Sequence, residues 1–172
     1  MKKNLPRICT LISLGFLLCL ALLSFGTSAA AAAVRVGDLL PKLALTDLKG
    51  APFAIPDAIR GKVAVILFWT AGCSSCKEDI PALESLYREY QRKGLIVVAV
   101  NLGESPENVR GALKGLGISY PVLIDQQSRS AASYDVIGVP RVFILDRTGS
   151  VRLKIVGSTP RETIRKSIQS LL

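Results

Sequence analysis

Apolar residues fall into several distinct patterns along the chain. Ile8–Phe25 is an 18-residue apolar run without a charge. Val63–Trp69 and Leu95–Val100 are shorter continuous runs, the length of strands buried on both faces. Between them, Ile80, Leu83, Leu86, Tyr87 and Tyr90 recur at three- and four-residue spacing. That spacing predicts a helix over Cys76–Arg92, closed by Gly94. Leu43–Leu48 alternates, Lys49-Gly50 turns, and Phe53–Ile55 returns, which predicts a hairpin. Arg60-Gly61-Lys62 is a second turn. Ser105-Pro106-Glu107 opens a helix with a serine N-cap and proline at the first helical position, running to about Lys114. Val122–Ile124 reads as a short strand and Ser130–Tyr134 as a short helix. Val142–Leu145, the turn Asp146–Gly149 and Val151–Val156 predict a second hairpin. Thr159-Pro160-Arg161-Glu162 has the form of a capping box, with Pro160 first in a last helix. Ile164, Ile168 and Leu171 give that helix its apolar face.

Strands alternating with helices predict an α/β fold, a sheet with helices on both faces. The two continuous runs, joined by a helix, should be parallel neighbours through a right-handed crossover. No internal repeat appears. The N-terminal hairpin stands outside the alternation as an extension.

The first apolar run is an address. Lys2, Lys3 and Arg7 precede it, and Gly26, Thr27, Ser28 and the alanines 29–33 follow. A basic head, an apolar middle and a small-residue tail form an export signal. Eighteen residues are also just long enough to span a bilayer, so a retained anchor is the second reading. Either way residues 1–33 are set apart from a domain of residues 34–172, which lies outside the cytoplasm. Contact with the membrane is then expected only through an uncleaved N-terminal segment.

Composition narrows the chemistry. The 172 residues include 22 Lys+Arg, 13 Asp+Glu, 4 Cys and no His. Without His, a Ser-His-Asp triad, an HExxH zinc site and a His haem ligand are excluded. Three of the basic residues and no acidic one fall in 1–33, so the domain carries a net charge of +6. No Lys/Arg run is interleaved with aromatics, so this charge reads as a solvated surface and not as a nucleic-acid site.

Candidate chemistry lies at Cys73-Ser-Ser-Cys76, where a buried strand hands over to a helix. Cys73 falls at the helix mouth, where free N–H groups and the dipole favour a thiolate. Cys76, expected one turn inside on the same face, could attack a mixed disulfide formed by Cys73. Two other readings exist for such a pair. Half a zinc site needs further ligands, and the domain has no third Cys and no His. A structural disulfide over so short a loop would add only about 2 kcal/mol, which a domain of this size does not need. Neither a metal nor an organic cofactor is expected. Asp79 lies three residues beyond Cys76, so a helix would put it on the same side. Its carboxylate could take the proton from Cys76 during resolution, or simply complement the helix dipole.

The chain resembles the thioredoxin superfamily, and specifically its extracytoplasmic TlpA/ResA-type thiol–disulfide oxidoreductases. The resemblance covers about residues 36–172. It rests on the leading hairpin and on FWTAGCSSCKEDIP (68–81), IVVAVNLGESPENV (96–109) and YDVIGVPRVFILDRTGSV (134–151). It implies a thioredoxin-like fold, a central mixed β-sheet flanked by helices. It also implies Cys73 as nucleophile, Cys76 as resolving cysteine and a cis-proline at Pro140 beside them. Val139 would offer its backbone to a bound substrate strand. Asp79 stands where the family often has Glu, and Trp69 aligns with a strand-end aromatic that either contacts substrate or caps the core. Pro81 matches the proline that bends the active-site helix, which fits its missing N–H. The departures are Gly72 where Trp is usual, Ser75 for Pro, Arg141 for Thr, and Leu67 where thioredoxin keeps a buried Asp.

The resemblance implies an enzyme of the periplasm or the outer face of the cytoplasmic membrane. It would exchange disulfides with protein thiols, apocytochrome c among them, and draw electrons from a membrane donor. A peroxiredoxin-like thiol peroxidase is the alternative. Thr70 stands three residues before Cys73 as in that loop and Arg141 could stabilise a peroxide, but Ile66 occupies the position of that motif's proline. A redox-inert binding module is a third reading, which the intact CxxC disfavours.

Overall fold

The structure is a computed structural model and describes residues 33–158 and 160–172. Apart from residue 33, the segment expected to direct export lies outside the described residues. Seven strands form one mixed sheet in the order β2-β1-β5-β4-β3-β6-β7. They are β1 (Leu43–Asp47), β2 (Pro52–Ile55), β3 (Val63–Trp69), β4 (Leu95–Leu102), β5 (Val122–Asp125), β6 (Arg141–Leu145) and β7 (Val151–Val156). The helices are α1 (Cys76–Tyr90), α2 (Pro106–Leu113), α3 (Arg129–Tyr134) and α4 (Arg161–Gln169).

β3 is central because every one of its seven side chains is apolar and buried. It pairs in parallel with β4 from Val63↔Leu95 to Trp69↔Asn101, and antiparallel with β6 from Ala64↔Leu145 to Phe68↔Arg141. Alternation sends Val63, Val65, Leu67 and Trp69 to one face, where α1, α2 and α4 contribute Ile80, Leu83, Val109, Ile164 and Ile168. Ala64, Ile66 and Phe68 go to the other, with Ile55, Ile59 and Tyr134. Phe68 meets Phe143 and Tyr134 edge-on at centroid distances of 5.4 and 6.0 Å.

Several boundaries differ from the sequence expectation for local reasons. β1 ends at Asp47, one residue early, because the Asp47 carboxylate turns the chain by accepting from the N–H groups of Lys49 and Ala51, each at 2.8 Å. The first helix ends at Tyr90, and Gln91–Lys93 tightens into a 3-10 turn. Gly94 then closes it with φ +101°, a left-handed conformation that a glycine adopts without strain. Ser105 caps α2 as expected, accepting from Asn108 N–H at 3.3 Å. The last helix begins at Arg161, with Pro160 just before it and no side-chain cap on that residue. Thr159 lies outside the described residues. Leu171 falls beyond the end of α4, though it still packs against the core. Residues ahead of the hairpin also join the fold. Gly37 donates to Val151 O at 2.7 Å, and Val34 and Leu40 are buried.

Candidate active site

The C-terminal end of β3 delivers the chain to a six-residue loop, Thr70–Ser75, and α1 starts at Cys76. Cys76 is therefore the first helical residue rather than one turn inside, and Cys73 lies in the loop that leads to it. The two sulfurs form a disulfide, with Cα atoms 5.3 Å apart. Cys76 N–H points at Cys73 Sγ across 3.2 Å, and Ser75 Oγ lies 3.6 Å from the same sulfur. This is the free N–H of a helix start aimed at Cys73, a geometry that favours negative charge on that sulfur once the disulfide opens.

Exposure separates the two cysteines. Cys76 is fully buried, whereas Cys73 is half-buried at the edge of the same core. Gly72 is exposed, and a Cβ placed there would meet nothing within 4 Å. The face in front of Cys73 is thus bare where a tryptophan would otherwise stand.

The Val139–Pro140 peptide bond is cis. Register places this pair beside the end of β3, since Arg141 faces Phe68 and the next step outward sets Pro140 against Trp69. Pro140 is buried, Val139 half-buried, and Ile137, two residues earlier, is 89% exposed. Pro140 O accepts from Gly157 N–H at 2.9 Å, which brings the end of β7 to the same place. Beside Gly157, Ser158 Oγ donates to Asp79 Oδ1 at 3.0 Å. Asp79 is half-buried one turn beyond Cys76. Loss of water pushes its carboxyl above the usual aspartate range and the neighbouring Glu78 charge adds to that, while the Ser158 hydroxyl opposes it.

Two residues read differently in three dimensions. Trp69 is 1% exposed and its Nε1–H has no protein partner among the described residues. Enclosure on this scale favours the core-capping role over a substrate contact by the ring. Arg141 alternates with Val142, so it lies on the sheet face away from the cysteines, 5% exposed and donating to Asp135 O at 2.9 Å. A guanidinium on that face cannot hold a peroxide at Cys73. Leu67, fully buried with Cys76 in one cluster, puts an alkyl side chain at the position where the sequence lacks an acid.

Sequence reasoning missed Glu104. Its Oε2 accepts from Ala71 N–H at 2.7 Å and from Asn101 Nδ2 at 2.5 Å. Glu104 and Ala71 lie 33 residues apart. The segment containing Glu104 is legible only as the approach to the α2 cap, so no local signal announces the contact.

Comparison with known proteins agrees with this geometry. The AhpC/TSA family matches residues 36–154. Thiol-disulfide oxidoreductase ResA of Geobacillus thermodenitrificans is 34% identical over 139 residues, covering 81% of this chain and 79% of that protein. ResA of Bacillus subtilis is 30% identical over 139 residues, covering 81% and 76%. The crystal structure of a candidate thiol:disulfide interchange protein DsbE from Chlorobium tepidum superposes with a TM-score of 0.76 at 29% identity, over 81% of this chain and 99% of that one. A CxxC disulfide at a helix start, on a thioredoxin-like sheet and with these relatives, leads to one assignment: the chain belongs to the AhpC/TSA family, as a thiol–disulfide oxidoreductase of the TlpA/ResA type.

Proposed function

We propose that the domain of residues 34–172 works outside the cytoplasm as a reductant of protein disulfides, with apocytochrome c cysteines as clients and a membrane protein as electron donor. The observation that carries the reading is the unequal exposure of the two sulfurs, Cys73 half-buried and Cys76 fully buried. Cys73 attacks the client disulfide and Cys76 resolves the mixed disulfide, because only the outer sulfur can meet a bulky partner. Val139 and Pro140 present the edge along which the client strand lies. Asp79, raised by burial, takes the proton of Cys76 as it attacks. The basic and apolar N-terminus, residues 1–33, exports the domain or anchors it to the membrane. The cytochrome role rests on similarity to ResA and DsbE proteins and on this chemistry together.

The test uses reduced protein and two oxidants. A peptide with a Cys-x-x-Cys disulfide should be reduced stoichiometrically, and hydrogen peroxide consumed no faster than by free thiol. Asp79→Asn should slow the peptide reaction several-fold near neutral pH, at the resolution step. Rapid peroxide turnover with an inert peptide would replace the reductant reading by the peroxidase.

A further inference from the structure

The loop between β3 and α1 carries Cys73, yet little holds its first half. Within it, Cys73 N–H donates to Thr70 O at 3.2 Å. The second half is tied into the helix by Lys77 N–H to Ser74 O and by Glu78 and Asp79 N–H to Ser75 O, each at 3.2 Å. Among the described residues, one side chain from outside the loop hydrogen-bonds to it, and that is Glu104 on Ala71 N–H.

Glu104 is itself well anchored. It sits between β4 and α2, half-buried, and the oxygen that accepts from Ala71 also accepts from Asn101 Nδ2. Asn101 is fully buried at the end of β4 and pairs in register with Trp69, the last residue before the loop. The carboxylate therefore bridges a rigid strand end to a backbone N–H two residues ahead of Cys73. Lys77 from α1, with Glu107 and Asn108 from α2, line the open groove beside it. None of these three has a hydrogen bond to Glu104 among the described residues.

We propose that Glu104 is a positioning residue for disulfide exchange, locking the loop so that Cys73 stays within bonding reach of Cys76. The inference rests on the Cys73/Cys76 roles given above. In resolution, the Cys76 thiolate attacks Cys73 Sγ, the new S–S bond forms inside the protein, and the client leaves as a thiolate that takes up a proton. Both this step and the stability of the finished disulfide depend on how closely the loop holds the two sulfurs beforehand. A loop freed at Ala71 explores more conformations, so the internal disulfide forms more slowly and is reduced more readily.

The experiment measures, in the full chain, the equilibrium in which protein disulfide and two reduced glutathiones give dithiol and oxidised glutathione. It also measures the lifetime of a mixed disulfide with a labelled peptide. Three variants separate reach from charge. Glu104→Asp keeps the charge but is one methylene short, Glu104→Gln keeps an acceptor at full reach, and Glu104→Ala keeps neither. Glu104→Asp and Glu104→Ala should each shift the equilibrium about tenfold toward dithiol and lengthen the mixed-disulfide lifetime by a similar factor, the low end for a hydrogen bond to a charged acceptor. Glu104→Gln should shift both only about threefold, since a neutral acceptor makes a weaker bond of the same geometry. Wild-type behaviour of Glu104→Asp, or equal shifts in Glu104→Gln and Glu104→Asp, would overturn the proposal. If Glu104→Ala fails to fold, the comparison of Asp with Gln still decides. A wild-type protein that never equilibrates with glutathione would instead overturn the exchange roles beneath it.

Discussion

Cys76→Ala, expressed in cells and quenched in acid, is expected to carry client proteins as mixed disulfides, while Cys73→Ala carries none. The reason is geometric. A client sulfur can approach Cys73, which is half-buried beside exposed Gly72. It cannot approach Cys76, which is enclosed among Leu67, Trp69, Ile80 and Val142 in the main core cluster. With Cys76 present, the adduct is short-lived because the resolving sulfur is three positions along the chain, within disulfide-bonding distance. Removing it leaves the Cys73 adduct with no internal route of escape. Non-reducing gels and mass spectrometry of the trapped adducts read the result, which should be close to all-or-none. Equal trapping by both variants would mean that the buried sulfur becomes accessible on reduction, and the division of roles would fall.

Leu67→Asp is expected to destabilise the domain by about 3–5 kcal/mol at pH 8, the range for an uncompensated buried charge. Leu67 is fully buried on the central strand, on the same face as Val65, Trp69 and Cys76. Its register partners are Ala99 on β4 and Val142 on β6, and neither offers a hydrogen bond from its side chain. The introduced carboxyl would hold its proton far more tightly in the folded than in the unfolded state. Stability therefore falls as pH rises from the unfolded pKa to the raised folded one, and the deficit shrinks toward pH 4. Leu67→Asn should lose stability without this pH dependence. Urea titration at both pH values measures it. An introduced Asp tolerated at pH 8 would show that the region beneath the cysteines is polar enough to hold a charge. The absence of an acid there would then have no physical cost to explain it.

What the sequence made legible follows from the range of each interaction. Continuous apolar runs at 63–69 and 95–100 have the length of doubly buried strands, and the helix between them favours the parallel pairing that β3 and β4 show. Gly94 and the Ser105-Pro106 cap are local signals, and both hold. Places where expectation and structure part involve contacts that local pattern does not encode. Trp69 reads as a strand-end aromatic of either role until the packing of α1 over it is known. Arg141 reads as a candidate peroxide ligand until strand alternation assigns it to the far face. Glu104 and Ser158 touch the site from 33 and 79 residues away, on segments whose sequences announce only the start of the helix that follows. The cysteine pair is a local signal, since spacing and the strand-to-helix position bring its two sulfurs within bonding distance.

In the proposed exchange, Cys73 is the attacking sulfur and Cys76 its buried partner. Alkylation of the reduced protein at pH 7 with a limiting amount of iodoacetamide, followed by peptide mass mapping, tests it most directly. Label should reach Cys73 at least about tenfold faster than Cys76, because the half-buried sulfur meets the reagent and the enclosed one does not. Equal labelling of the two cysteines, or faster labelling of Cys76, would contradict it.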